Sequence, residues 1–91
     1  MSQTAKHIIF KGHVQGVGFR CTTRNIASQF PVTGYVRNQP DRTVEAVIQG
    51  EEKDIQSCLE KIQAQFGSYI RDIDISTMVF NPQLKDFEIT F

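Results

Sequence analysis

Gly12-His13-Val14-Gln15-Gly16-Val17-Gly18-Phe19-Arg20 is the stretch on which the reading of this chain turns. It follows an alternating apolar run, carries three glycines and ends in an arginine. Glycine tolerates backbone conformations in which neighbouring N–H groups face a single point. A loop of that kind running into a helix N-terminus is an anion site, because free amides and the helix dipole both favour negative charge. Arg20 adds a planar, permanently charged fork that matches phosphate oxygens. The stretch therefore reads as the joint between a strand and a helix, and as a cradle for one phosphoryl group. On the glycines alone, an ordinary strand-to-helix turn stays open.

Upstream, His7 to Val14 alternates, with Ile8, Phe10, Gly12 and Val14 on one face, which predicts a first strand. Downstream, Arg20 to Phe30 carries Thr23, Ile26, Ala27 and Phe30 at helical spacing, and Pro31 should close that helix. Val32 to Asn38 predicts a second strand. Gln39-Pro40-Asp41-Arg42 predicts a turn, and Thr43 to Gln49 a strand that pairs back as a hairpin. Past Gly50, the residues Ile55, Leu59, Ile62 and Phe66 form a helical stripe with Cys58 beside it. Glu51, Glu52 and Asp54 fall in its first turn, where the dipole favours carboxylates, and Gly67 is placed to end it.

Ile73, Ile75, Thr77 and Val79 alternate as a fourth strand, Asn81-Pro82 marks a turn, and Phe87, Ile89 and Phe91 alternate as a closing strand. The order β-α-β-β-α-β plus a short terminal strand predicts an α+β fold, a ferredoxin-like α/β sandwich. In it two helices cover one face of a mostly antiparallel sheet. With no internal repeat or linker, residues 1–91 are expected to form one domain.

Composition narrows the function. Lys plus Arg is 10 and Asp plus Glu is 10, and this balance argues against a nucleic-acid partner gripped through its phosphate backbone. A small phosphorylated ligand needs only local positive potential. No apolar run approaches the roughly 18 residues of a membrane-spanning helix, so no membrane association is expected. The polar N-terminus shows no signal peptide, and the expected location is cytoplasmic. Cys21 and Cys58 both fall in predicted helices without metal-ligand spacing, and two reduced thiols are expected. No cluster of His, Cys or carboxylates suggests a metal site.

A second motif occupies residues 34 to 45, Gly-Tyr-Val-Arg-Asn-Gln-Pro-Asp-Arg-Thr-Val-Glu. Together the two stretches resemble the acylphosphatase family, whose pattern runs G-x-V-Q-G-V-x-F-R, then G-x-V-x-N, a turn, and V-E. Gly12, Val14, Gln15, Gly16, Val17, Phe19 and Arg20 match the first part. Gly34, Val36, Asn38, Asp41, Val44 and Glu45 match the second, and the length and element order fit from end to end. A motif this long with fixed spacing is specific.

The resemblance implies hydrolysis of the carboxyl-phosphate bond of a small-molecule acyl phosphate, without metal or cofactor. Inorganic phosphate is the implied product and inhibitor, and the protein is expected to be a monomer. The backbone amides of Gln15, Gly16, Val17, Gly18 and Phe19, with Arg20, would bind the phosphoryl oxygens. Asn38 would orient the attacking water, and a phosphate oxygen of the substrate could take its proton. Arg20 and Asn38 are thus the implied catalytic residues.

His7 and His13 are expected on the surface and Cys21 in packing. The turn commonly reads Asp-Gly in the family; here it reads Asp41-Arg42. A left-handed Arg42 would carry roughly 1–2 kcal/mol of strain. Two other readings stay open: a catalytically silent ligand-sensing or protein-binding domain, and an RNA-binding module of the same element order. The latter is disfavoured by a third strand without aromatics.

Overall fold

The computed structural model describes residues 3–91. The chain runs β1 (Thr4–Gly12), α1 (Phe19–Ala27), β2 (Thr33–Asn38), β3 (Val44–Gly50), α2 (Glu52–Phe66), a 3₁₀ turn (Gly67–Tyr69), β4 (Ile70–Met78) and β5 (Phe87–Ile89). One five-stranded sheet has the order β4-β1-β3-β2-β5. Its pairs are antiparallel except β2 with β5, which run parallel. Both helices pack their apolar stripes into a single core with Ile8 and Phe10 of β1, Val36 of β2, and Val44, Ala46 and Ile48 of β3. This is the expected ferredoxin-like sandwich.

Alternation explains which strand residues face the helices, since successive side chains point to opposite sides of the pleat. Helix α1 contributes Phe19, Thr23, Ile26 and Ala27, and α2 contributes Ile55, Cys58, Leu59, Ile62 and Phe66. The Phe19 ring lies 4.9 Å from Phe10 and stacks 4.3 Å from Phe66, centroid to centroid. Burying such a ring is worth about 1.5–3 kcal/mol. Its position at the first residue of α1 fixes where that helix begins.

Several boundaries differ from the sequence expectation, each for a local reason. β1 starts earlier, because Thr4 to Lys6 pair with Gly50 to Ile48. It stops at Gly12, where its register against β4 shifts, so Val14 is buried from a loop rather than a strand. α1 ends at Ala27, and the chain then tightens into turns closed by Gln29 N–H to the Ile26 carbonyl and Phe30 N–H to the Ala27 carbonyl, both 3.0 Å. β4 is an edge strand whose far half lies outside the core: Ile73 packs inward, whereas Ile75, and Val79 just past the strand's end, are exposed. Phe91 lies beyond β5 and is 96% exposed.

The face without helices is closed at its centre by polar groups. Glu45 of β3 is almost fully buried. It accepts a hydrogen bond from Arg37 of β2 and meets Nε2 of His7, on β1, at 2.7 Å. His7 is therefore a cross-strand partner rather than a loose surface residue. Burial pushes the Glu45 carboxyl up, but the hydrogen bonds from His7 and Arg37 outweigh it and hold the group below the usual range. A lowered folded-state pKa adds stability that is fully present above the unfolded value, near 4.5, and disappears as pH falls through the folded value. Glu45→Gln should accordingly lower stability at pH 7 by about 1–3 kcal/mol. Urea midpoints should show the two proteins converging as pH falls below the unfolded value near 4.5 and the wild-type carboxyl protonates. A constant gap from pH 7 to 3 would show that the ionised carboxylate is not the source.

Candidate active site

The loop between β1 and α1 is anchored at both ends. At its start, His13 N–H donates to the Tyr69 carbonyl at 2.8 Å, and the His13 ring lies against the Tyr69 ring at 5.6 Å. At its end, Phe19 is locked into the core. Between these anchors the backbone turns through positive φ at Gly16 (79°) and Gly18 (76°). A Cβ at either would meet nothing within 4 Å, so glycine is needed there for backbone conformation and not for space.

Gly18 occupies the N-cap of α1 in a left-handed conformation, and no side chain caps the helix. The first intrahelical bond runs from Thr22 N–H to the Gly18 carbonyl, at 3.0 Å. The amides before it have no intrahelical acceptor. The first turn contains no acidic residue but does contain Arg20, a cation at the positive end of the dipole. That arrangement is unfavourable by itself and becomes favourable with an anion bound. Arg20 forms no ion pair among the described residues. Its guanidinium carbon lies 5.2 Å above the centroid of the Phe91 ring, a cation–π contact.

Asn38 arrives from the other side, as the last residue of β2 paired with Val44. The hairpin beyond it is a three-residue loop, Pro40-Asp41-Arg42. It is closed by Gln39 N–H to the Thr43 carbonyl at 2.9 Å and Arg42 N–H to the Gln39 carbonyl at 3.1 Å. Asp41 Oδ1 accepts from the Thr43 hydroxyl at 2.6 Å and its N–H at 3.0 Å, and these bonds hold its carboxyl below the ordinary value. Arg42 has φ of 74°, the left-handed conformation that usually falls to glycine in this kind of loop.

One side chain joins the two halves. Gln15 Nε2 donates to the carbonyls of Gln39 and Thr43, both at 2.9 Å. The phosphate-loop candidate is thus tied to the hairpin base immediately after Asn38, with both amide protons used.

The result is a cavity of about 240 Å³ in which Gly16, Gly18, Arg20 and Asn38 meet. Val14, Phe19, Ile89 and Phe91 form its apolar wall, and Cys21 lies at its edge. Asn38 Oδ1 is buried without a hydrogen-bond partner in the protein. A buried amide oxygen left so costs about 1–3 kcal/mol and calls for a ligand or water donor.

Of the expected site residues, Gly16, Gly18, Phe19, Arg20 and Asn38 line this cavity. Gln15 lines a neighbouring one and spends its side chain on the hairpin. Val17 is half-buried against the core. Cys21 is exposed rather than packed, and it borders the cavity. Its Sγ accepts a long contact of 3.7 Å from Arg24. Ile89 and Phe91 carried no sequence signal as wall residues, since parallel pairing of β5 with β2, which sets Val36 opposite Ile89, brings them there. Among the described residues no group of three His, Cys, Asp or Glu is placed to hold a metal. No helix there is long and apolar enough to cross a membrane.

The acylphosphatase family model matches residues 6–89. An acylphosphatase from Picrophilus torridus is 40% identical over 85 residues, covering 91% of this chain and 98% of that protein. One from Lactobacillus gasseri is 37% identical over 82 residues, covering 88% and 90%. The crystal structure of acylphosphatase from Bacillus subtilis superposes with a TM-score of 0.88 at 30% identity, covering 97% of this chain and 99% of that one. End-to-end similarity of sequence and of fold leads to one assignment: the chain is a hydrolase of the acylphosphatase family.

Proposed function

We propose that the cavity at the β1–α1 loop hydrolyses the carboxyl-phosphate bond of a small acyl phosphate, giving a carboxylate and inorganic phosphate. The observation that carries this reading is the meeting of Arg20, at an uncapped helix N-terminus, with an Asn38 whose buried Oδ1 has no partner. The phosphoryl oxygens rest against the amides of residues 15–19 and the Arg20 guanidinium, which complement its negative charge. Asn38 Oδ1 accepts a hydrogen bond from the attacking water and so aims an oxygen lone pair at phosphorus.

As the new P–O bond forms, the bond from phosphorus to the acyl oxygen breaks, and its electron pair leaves with the carboxylate. The water proton passes to a phosphate oxygen. The leaving group is a weak base, so positioning and charge stabilisation suffice. Neither metal nor cofactor takes part, and phosphate, the product, competes with substrate. The protein acts as a cytoplasmic monomer that engages neither nucleic acid nor membrane.

Benzoyl phosphate hydrolysis, followed with and without EDTA from pH 5.5 to 8, tests the reading. Guanidinium and amide side chains as a class keep their charge state across that range, so the rate should stay within about two-fold and be indifferent to chelator. An inflection near 6.5 that disappears in His13→Gln would instead identify an imidazole catalyst. Loss of activity in EDTA would identify a metal.

A further inference from the structure

Behind the phosphate loop lies a second cavity of about 430 Å³, lined by Gly12, His13, Val14, Gln15, Gly16 and Arg42. It shares Val14 and Gly16 with the first, so the loop borders both spaces. Its lining contains a guanidinium and an imidazole and no carboxylate. The Gln15 amide protons are already committed to the hairpin carbonyls. The nearby Asp41 carboxylate is turned onto Thr43, and Lys11 is paired with Asp74 at 2.8 Å. Arg42 forms no ion pair among the described residues. It also holds a positive φ that glycine would adopt without strain. A cation kept at a costly backbone position, beside a cavity that is lined by no acid and adjoins the catalytic one, is placed to meet an anion.

We propose that this cavity is an acyl-group subsite, in which Arg42 selects acyl phosphates whose acyl part carries a second anionic group, a carboxylate or a phosphate. The inference rests on the phosphoryl-binding role of the adjoining loop. With the phosphoryl group on the inner side of the Gly16 backbone, an acyl chain rounding the loop brings its distal charge towards Arg42. A guanidinium at a cavity lip, partly screened by solvent, gives discrimination of roughly three- to ten-fold, weaker at high salt.

The test compares kcat/KM for benzoyl phosphate with that for 3- and 4-carboxybenzoyl phosphates, in wild type and Arg42→Gly. Wild type should favour at least one carboxylated substrate by about three- to ten-fold at low ionic strength, and 0.5 M NaCl should reduce the preference. Arg42→Gly should abolish the preference while leaving kcat/KM for benzoyl phosphate, and inhibition by inorganic phosphate, within two-fold. Its urea midpoint should be no lower than that of wild type, which separates lost selectivity from a damaged fold. An added arm with a phosphonomethyl group in place of the carboxylate distinguishes the two anion classes. The subsite is overturned by equal wild-type rates on neutral and carboxylated substrates, by a preference that survives in Arg42→Gly, or by a comparable loss of phosphate inhibition, which would place Arg42 in the phosphoryl cradle. No turnover of benzoyl phosphate by wild type would overturn the hydrolytic reading itself, and the subsite with it.

Discussion

Arg20→Gln is expected to lower kcat by about 10²–10³-fold and to weaken inhibition by inorganic phosphate in parallel. Losing a charged donor that faces developing negative charge has effects of this order. Arg20 stands at an uncapped helix N-terminus with no acidic residue in the first turn and no ion-pair partner among the described residues. Within the fold its charge meets the ring of Phe91, which is itself exposed, so little stability rests on it. Arg20→Lys should recover only part of the rate, since an ammonium cannot reproduce two parallel N–H donors. The unfolding midpoint should not fall in either variant, because a cation is removed from, or merely exchanged at, the positive end of the dipole. Steady-state kinetics with phosphate as inhibitor decides the matter. A glutamine variant retaining wild-type phosphate inhibition would remove Arg20 from the cradle.

Asn38→Ala should behave differently. If the amide positions only the water, kcat should drop by about 10²-fold or more, while the phosphate inhibition constant stays within two-fold. The structure supplies a reason to expect little harm to the fold. Asn38 Oδ1 has no protein partner to lose, and the hairpin that follows is closed by its own backbone bonds and by Gln15. Circular dichroism and a urea midpoint provide the control. A folded alanine variant that binds phosphate and turns over at the wild-type rate would leave Asn38 with no part in catalysis.

Much of this arrangement was legible in the residues. Alternation in Ile8-Phe10 and Val44-Ala46-Ile48 marked the strand faces, because both lie where helices cover the sheet. The same rule misled at Ile75 and Val79: Ile75 pairs with Ile8 yet stays exposed on the edge strand, and Val79 lies past the end of β4. The loop glycines announced their backbone requirement, and Arg42 its left-handed turn. What the sequence did not disclose were contacts set by distant pairing. Glu45 is held between His7 and Arg37, and the site wall at Ile89 and Phe91 depends on a parallel strand added 53 positions after its partner Val36. Nor did it disclose that the Gln15 side chain turns away from the cradle to hold the hairpin.

The anchoring of His13 to Tyr69 bears on when this site comes into being. Every residue of both motifs lies within the first half of the chain, from Gly12 to Glu45. Yet the loop begins from a strand that sits between β3 and β4, and its first amide is fixed by a carbonyl that follows α2. The β1–β4 ladder joins positions as far apart as Ala5 and Met78. Closure over such separations comes late and slowly in folding. A nascent chain emerging from synthesis would thus carry both motifs long before the loop and the hairpin could meet around the cavity, and that geometry arrives only when the later strands dock.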